Sequence, residues 1–185
     1  MNVEDIRDNK ALIEHLEAGN EVDFFFFYGH SIPEDGSVSK SCLSQWYPAS
    51  FKIGDTVYKT AEHFMMAEKA RIFGDEEMLE EIINSSHPKE AKALGRKVSN
   101  FDQDRWLMCR FDIVITGNLA KFSQNKKLKD FLLDTADSVI VEASPRDRIW
   151  GIGMSQKNQS VEDPRKWRGQ NLLGYGLMEV RSRLI

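Results

Sequence analysis

Cysteine is scarce in this 185-residue chain, with Cys42 and Cys109 far apart and no Cys-x-x-Cys between them. That excludes a disulfide framework and a thiolate zinc site, and leaves free thiols as the expectation. Histidine is also sparse, at four scattered positions, His15, His30, His63 and His87. Glu62-His63 runs on into Phe64-Met65-Met66, so the His-Glu-x-x-His zinc motif is missing and no metal is expected. No apolar run approaches the roughly 18 to 20 residues of a membrane span. The start, Met1-Asn2-Val3-Glu4-Asp5, has neither the basic flank nor the apolar stretch of a signal peptide, so the expected setting is cytoplasmic. Positive charge is not in excess: 25 Lys and Arg against 29 Asp and Glu leave a formal charge of −4, which argues against extended contact with duplex DNA. Gly-x-Ser-x-Gly and the Walker sequence are absent, and no Ser-His-Asp order can be assigned, which excludes a serine hydrolase.

What is present is the mixture of a globular domain, 41% hydrophobic and 29% charged, enough for one sizeable core. Val3 to Leu16 has apolar residues near helical spacing and stops at Gly19-Asn20, predicting an N-terminal helical cover. Val22 to Tyr28, with Phe24-Phe25-Phe26-Phe27, reads as a short strand buried on both faces. Gly29 to Gln45 reads as a long loop and Trp46 to Tyr58 as a hairpin. Helices are predicted over 61–73, 76–84, 88–98, 103–122 and 128–135, a strand over 138–142, an irregular Gly-containing stretch over 143–170 and a last helix over 172–184. Repeats, linkers and low-complexity tracts are lacking.

Three groups of residues invite a chemical reading. On the helix that starts at Thr60, Glu62, Met65, Met66, Lys69 and Phe73 form one stripe in which two charges interrupt an apolar face. Glu62 and Lys69 are seven residues apart, so at about 100° per residue they lie within about 20° of one another around the axis and can serve one pocket. A desolvated carboxylate next to an ammonium is a tunable acid or base. From periodicity alone the favoured reading is a solvated or ion-paired Glu62 and a snorkelling Lys69. Next, Pro145-Arg146-Asp147-Arg148-Ile149-Trp150-Gly151-Ile152-Gly153 places an acid, an indole and two glycines directly after a predicted strand. There Trp150 can stack on a planar ring and Gly151 allows close backbone approach, or the stretch is a turn with a packed Trp. Third, Trp106, Arg110 and Lys121 share one helix and can offer an aromatic and cations to a base and a phosphate, or simply form core and solvated face.

In order along the chain, Phe26-Phe27-Tyr28, Leu43-Ser44-Gln45-Trp46-Tyr47-Pro48, Tyr58 to Lys69, Lys121-Phe122, Leu132 to Thr135, Val141-Glu142, Asp147-Arg148-Ile149-Trp150-Gly151 and Asn171-Leu172-Leu173-Gly174 to Leu177-Met178 and Arg181 form a specific set. With these pieces the chain resembles the NADAR superfamily, the YbiA-like proteins or riboflavin-intermediate N-glycosidases, from about Phe26 to Leu184. The resemblance implies a predominantly helical α+β domain over 22–185 with a few short strands, preceded by an N-terminal helical extension over 1–21. It implies cleavage of N-glycosidic bonds to ribose, with Glu62, Lys69 and Asp147 catalytic and Trp46, Trp106, Arg110, Lys121, Trp150, Gly151 and Asn171 binding substrate. Two departures stand out: the family's Phe-Ser-Asn-Phe appears as Leu43-Ser44-Gln45-Trp46, and the 154–169 loop is longer than the compact family version.

The implied substrate is a phosphorylated N-riboside, either a ribosylaminopyrimidine phosphate of early riboflavin synthesis or ADP-ribose on a guanine base of DNA. Neither needs a metal or a redox cofactor. In such hydrolysis positive charge develops at the sugar while the departing nitrogen must be stabilised. Glu62 is expected to support the cationic sugar or activate water, Asp147 to orient ribose hydroxyls or exchange the second proton, and Trp150 to pack against ribose or base. Lys69 either holds Glu62 ionised or attacks C1 to form an imine. The rival from another class is a non-catalytic sensor of ADP-ribose or NAD, which would need no carboxylate pair.

Overall fold

The computed structural model describes residues 2–185. Its organising feature is a parallel pair of short strands, β1 (Phe24–Phe27) and β4 (Val139–Glu142), in the register Phe24 to Val139 through Phe27 to Glu142. A parallel pair needs a long crossover, and five of the seven α-helices of the described residues lie in it. In order come the antiparallel hairpin β2 (Phe51–Ile53) and β3 (Thr56–Tyr58), then α2 (Ala61–Phe73), α3 (Glu76–Asn84), α4 (Pro88–Gly95), α5 (Gln103–Gln124) and α6 (Lys126–Leu133). A final helix, α7 (Leu172–Leu184), returns across β4. The α+β, mainly helical, single-domain expectation is met.

Local chemistry explains the boundaries. Thr60, Asp75 and Asp102 each accept a hydrogen bond from a backbone N–H of the first turn of α2, α3 and α5, and Pro88 opens α4. Gly74 ends α2 at φ 70°, a left-handed conformation that glycine adopts at little cost. Helix α2 is the central one, with every residue from Ala61 to Ala67 buried between α3, α4 and α5. The apolar stripe expected on it is therefore part of an almost fully enclosed helix.

Two expectations are corrected. The N-terminal helix is broken: a 3-10 turn at Val3–Asp5 precedes α1 (Asn9–Glu17), because Asp8 caps a new helix through Ala11 N at 2.7 Å. The strand expected to be buried on both faces is not. With β4 as its only strand partner among the described residues, Phe24, Phe25 and Phe26 are partly covered and Phe27 alone is fully buried. Within the predicted loop, Ser41 to Gln45 are buried around a 3-10 turn at Lys40–Leu43.

Contact between α7 and β4 is close enough to demand glycine. A Cβ on Gly174 would lie 2.0 Å from the Ile140 carbonyl oxygen, whereas one on Gly176 would meet nothing nearer than 3.7 Å. Gly174→Ala should therefore cost at least about 3 kcal/mol, while Gly176→Ala should be neutral or stabilising by up to about 1 kcal/mol. Denaturant midpoints of the two variants measure the contrast.

Candidate active site

The C-terminal end of β4 is where the acids gather. Glu142 is the last strand residue, Asp147 follows in the turn after it, and Glu62 faces them from the first turn of α2. Asp147 is fixed by the turn it builds: its Oδ1 accepts from Ile149 N and Trp150 N, both at 2.8 Å, and its own N–H donates to Ser144 Oγ at 3.2 Å. Glu62 is 2% exposed, and its Oε1 is buried with no partner. Glu142 is partly exposed as a residue, yet its Oε2 is also shut off from solvent without a donor. Unpaired buried carboxylate oxygens are costly and point to a function or a proton.

Protons are the consequence. Burial pushes the Glu62 carboxyl up to about 7; Lys92, the Trp46 indole and Arg96 pull it down, and the charge of Asp147 adds to the rise. Burial likewise pushes Glu142 up to about 8, reinforced by Asp147 and Glu62 and opposed by Lys92. Three carboxyls in one corner thus carry fewer than three negative charges near neutrality, the condition for an acid and a base to coexist.

Trp46 stands over this corner. Its indole lies 5.3 Å from the ring of His30, 6.4 Å from that of His87 and 5.7 Å from the Lys92 ammonium. Trp46 is placed by its loop, in which Gln45 O accepts from Glu62 N at 3.0 Å and Gln45 Oε1 from Asn118 Nδ2 at 2.7 Å. Trp150 lies on the opposite element, with the Arg110 guanidinium 5.9 Å from its ring and Arg110 donating to Gln170 Oε1 at 3.3 Å.

Other expected residues are placed differently. Lys69 is not the cation beside Glu62: its ammonium donates to Gly95 O at 2.7 Å and sits 4.2 Å from the Phe101 ring and 5.7 Å from that of Trp106. Burial first, then Arg96, lowers its pKa. The cations acting on Glu62 are Lys92 on α4 and Arg96, which follows its last residue. Lys121 is fully buried and donates to Cys42 O at 2.6 Å and Ser44 O at 2.9 Å, so it anchors the Trp46 loop from behind rather than facing a ligand. Asn171, also fully buried, donates to Ile140 O at 2.9 Å and accepts from Glu142 N at 3.0 Å. Those two bonds hold Asn171 at φ 53°, the left-handed region that asparagine tolerates better than most residues, and they lock the strand end. Gly151 makes its close approach to protein: a Cβ there would be 2.8 Å from Glu142 O.

Sequence reasoning did not single out Glu142, Lys92, Arg96, His30 or His87 as site residues, although Val141-Glu142 stood in the motif set. For Glu142 a signal existed, an acid closing the β-branched run Val139-Ile140-Val141, where strand ends in α/β arrangements commonly carry function. The others lie on surface-facing positions that periodicity cannot tell from solvated ones. Among the described residues no group of three His, Cys, Asp or Glu side chains is placed as a metal ion requires.

Residues 26–185 match the model of the NADAR domain. The chain belongs to the NADAR family. Among curated NADAR relatives it is 44% identical over 165 residues to N-glycosidase R617 of Acanthamoeba polyphaga mimivirus, covering 86% of this chain and 95% of that protein. It is 36% identical to Protein irg-1 of Caenorhabditis elegans, over 77% of this chain and 74% of that one. N-glycosidase YbiA of Escherichia coli strain K12 is 34% identical over 72% of this chain and 74% of its own length. The NMR structure of the E. coli protein YbiA superimposes with a TM-score of 0.69 at 28% identity, covering 89% of this chain and 86% of that one. The NADAR match begins after α1 and includes all three acids. No helix of the described residues is long and apolar enough to cross a membrane.

The raised carboxyls set a sign for stability against pH. Native Glu62 and Glu142 hold protons up to about 7 and 8 that the unfolded chain releases near 4.5, so their contribution is full below about 4.5 and is lost as pH climbs through about 7 and 8. Glu142→Gln, which cannot ionise, should therefore gain on the wild type between pH 5 and pH 9, by about 5 °C in Tm. Thermal unfolding of both proteins at the two pH values checks it.

Proposed function

We propose that the chain is an N-glycosidase that hydrolyses the C1–N bond of a phosphorylated riboside, with Glu62, Glu142 and Asp147 as its acid cluster. The single observation that carries this reading is that cluster: two buried carboxyls with unpartnered oxygens beside a third that its turn holds in place. N-glycosidase is also the activity in the names of several curated relatives.

In the proposed reaction the C1–N bond breaks with its electron pair going to nitrogen, which takes a proton from the Glu62/Glu142 pair. Positive charge at the sugar is met by the Asp147 carboxylate, water adds to C1, and the proton it sheds returns to the pair. A carboxyl that is half protonated at neutral pH suits both proton transfers, since a general acid or base works best near its own pKa. Trp46 and Trp150 offer flat apolar surfaces for base and ribose. Lys92 and Arg96, with Arg110 beside Trp150, supply the positive charge that a phosphate needs. The alternative in which Lys69 attacks C1 draws on its lowered pKa and its partly buried aromatic surroundings.

Both the ribosylaminopyrimidine phosphates and ADP-ribose on guanine in DNA meet this description, because each joins ribose to a planar nitrogen base and carries phosphate. A sensor that binds ADP-ribose or NAD without turnover is disfavoured by the two buried acids with raised pKa, which recognition of an anion does not require.

Incubation with a ribosylaminopyrimidine phosphate and, separately, with DNA bearing ADP-ribosylated guanine tests the proposal, with released sugar followed by mass spectrometry. Release from either supports it, and Glu62→Gln should then be slower by about 10²-fold or more. Tight binding without release would favour the sensor, and near wild-type turnover by Glu62→Gln would remove Glu62 from the chemistry. Borohydride trapping separates the covalent route: no adduct together with an active Lys69→Met protein would eliminate it.

A further inference from the structure

The N-terminal segment, outside the NADAR match, reaches the backbone that carries Asp147 and Trp150. Residues 168–173 are zipped onto 148–152 by backbone hydrogen bonds from Arg168 N to Ile152 O, Gln170 N to Arg148 O, Asn171 N to Gly151 O, Leu172 N to Ile149 O and Leu173 N to Trp150 O. Gly169 sits in the middle of this strip and is buried against it: a Cβ there would lie 2.2 Å from Gly151 O and 2.7 Å from Arg148 Cα. The Gly169 carbonyl accepts a hydrogen bond from Asn9 Nδ2 at 2.9 Å, across 160 residues of sequence.

Asn9 is itself held from three sides. It is the first residue of α1, whose start Asp8 fixes by accepting from Ala11 N at 2.7 Å. Its Oδ1 accepts from the Tyr175 hydroxyl at 3.0 Å, and the Tyr175 side chain is rooted in the core on α7. One turn further along α7, Glu179 pairs with Arg7, so the chain is fastened on both sides of the bend that leads into α1. Beyond Asn9, α1 packs on the 3-10 turn Pro164–Lys166 of the long loop, with Ile13 and Leu16 facing Pro164 and Arg165 around a shallow hollow. The N-terminal segment and the long loop are therefore built against each other.

We infer that Asn9 is a positioning residue and α1 a strut, which together hold Gly169 and through it the Asp147–Gly151 turn against the acid cluster. The inference rests on reading that turn as part of the site. A strut of this kind fits a site whose substrate-facing residues lie on an irregular segment: loop geometry is set by few contacts, and one hydrogen bond more or less changes its opening equilibrium by up to about tenfold.

Deleting the segment would remove the fully buried Ile6 and Leu12 and uncover the core they pack against, so the test uses point variants of the full chain. Asn9→Ala removes both side-chain bonds. Asn9→Asp keeps an acceptor for Tyr175 and suits a helix start, but has no donor for Gly169. Amide hydrogen exchange of the free protein is the first readout and needs no substrate, so its result stands whether or not the glycosidase reading survives. In both variants exchange at 147–152 and 168–173 should quicken by about tenfold while the amides of α2 and α5 keep their rates. On whichever of the two ribosides is hydrolysed, KM should rise about fivefold with kcat within about twofold, the split expected when a binding surface loosens and the acids stay in place. Unchanged exchange at 147–152, an equal rise throughout α2 and α5, or a loss in kcat alone would overturn the inference.

Discussion

Like charges crowded into a dry corner are the constraint around which this protein is arranged. The Glu62 carboxyl and one oxygen of Glu142 are shut off from water while Asp147 stands beside them; Asp147 raises the cost of ionising both, and Glu62 raises that of Glu142. Such a cluster survives only if the scaffold cannot relax away from it, because isolated buried charge is among the most destabilising things a core can contain. Much of the surrounding structure serves that end. Asn171 grips the end of β4 by both faces of its amide, Ser144 and the Ile149 and Trp150 amides fix the Asp147 turn, and the first turn of α2 is tied to the Gln45 carbonyl. Removing the cluster should ease the fold, which is the usual relation between an active site and the stability of its host.

The second support is α5. Its Asn118 and Lys121, three residues apart and therefore on one face, hold Gln45 and the Cys42 and Ser44 carbonyls, and so set the loop from which Trp46 leans over Glu62. Lys121 accepts full burial for this purpose, and its ammonium is pushed down to about 7 by the loss of water. A residue with the chemistry to bind phosphate has thus become part of the frame.

Fold and site were legible in the sequence to different depths. The helices were readable because their caps and spacing are local: Thr60, Asp75, Pro88 and Asp102 announce them directly. The break at Asp8 escaped because Val3, Ile6 and Leu12 keep an apolar rhythm across it, and the partly open face of β1 escaped because only tertiary structure decides how many neighbours a strand has. At the site, Glu62 was visible as an acid in an apolar stripe, and Asp147 as an acid in a Trp- and Gly-containing loop after a strand. Its pairing with Lys69 was the inference that periodicity could not carry. Seven residues place two side chains on one face, but the length of Lys69 takes its ammonium to Gly95 O, and the cations near Glu62 come from α4, across a helix interface that no single-helix pattern reveals. Lys121 and Asn171 show the converse, since residue type suggested ligand contact and burial assigned them to the backbone instead.

Site-resolved titration of the glutamate carboxyls by carbon-13 NMR, with Glu62 and Glu142 assigned by substitution, tests the central claim most directly. The account predicts that both change ionisation above pH 6, well outside the ordinary carboxylate range, and that Glu62→Gln brings the Glu142 midpoint down. Both carboxyls titrating below pH 5, each indifferent to the loss of the other, would contradict it.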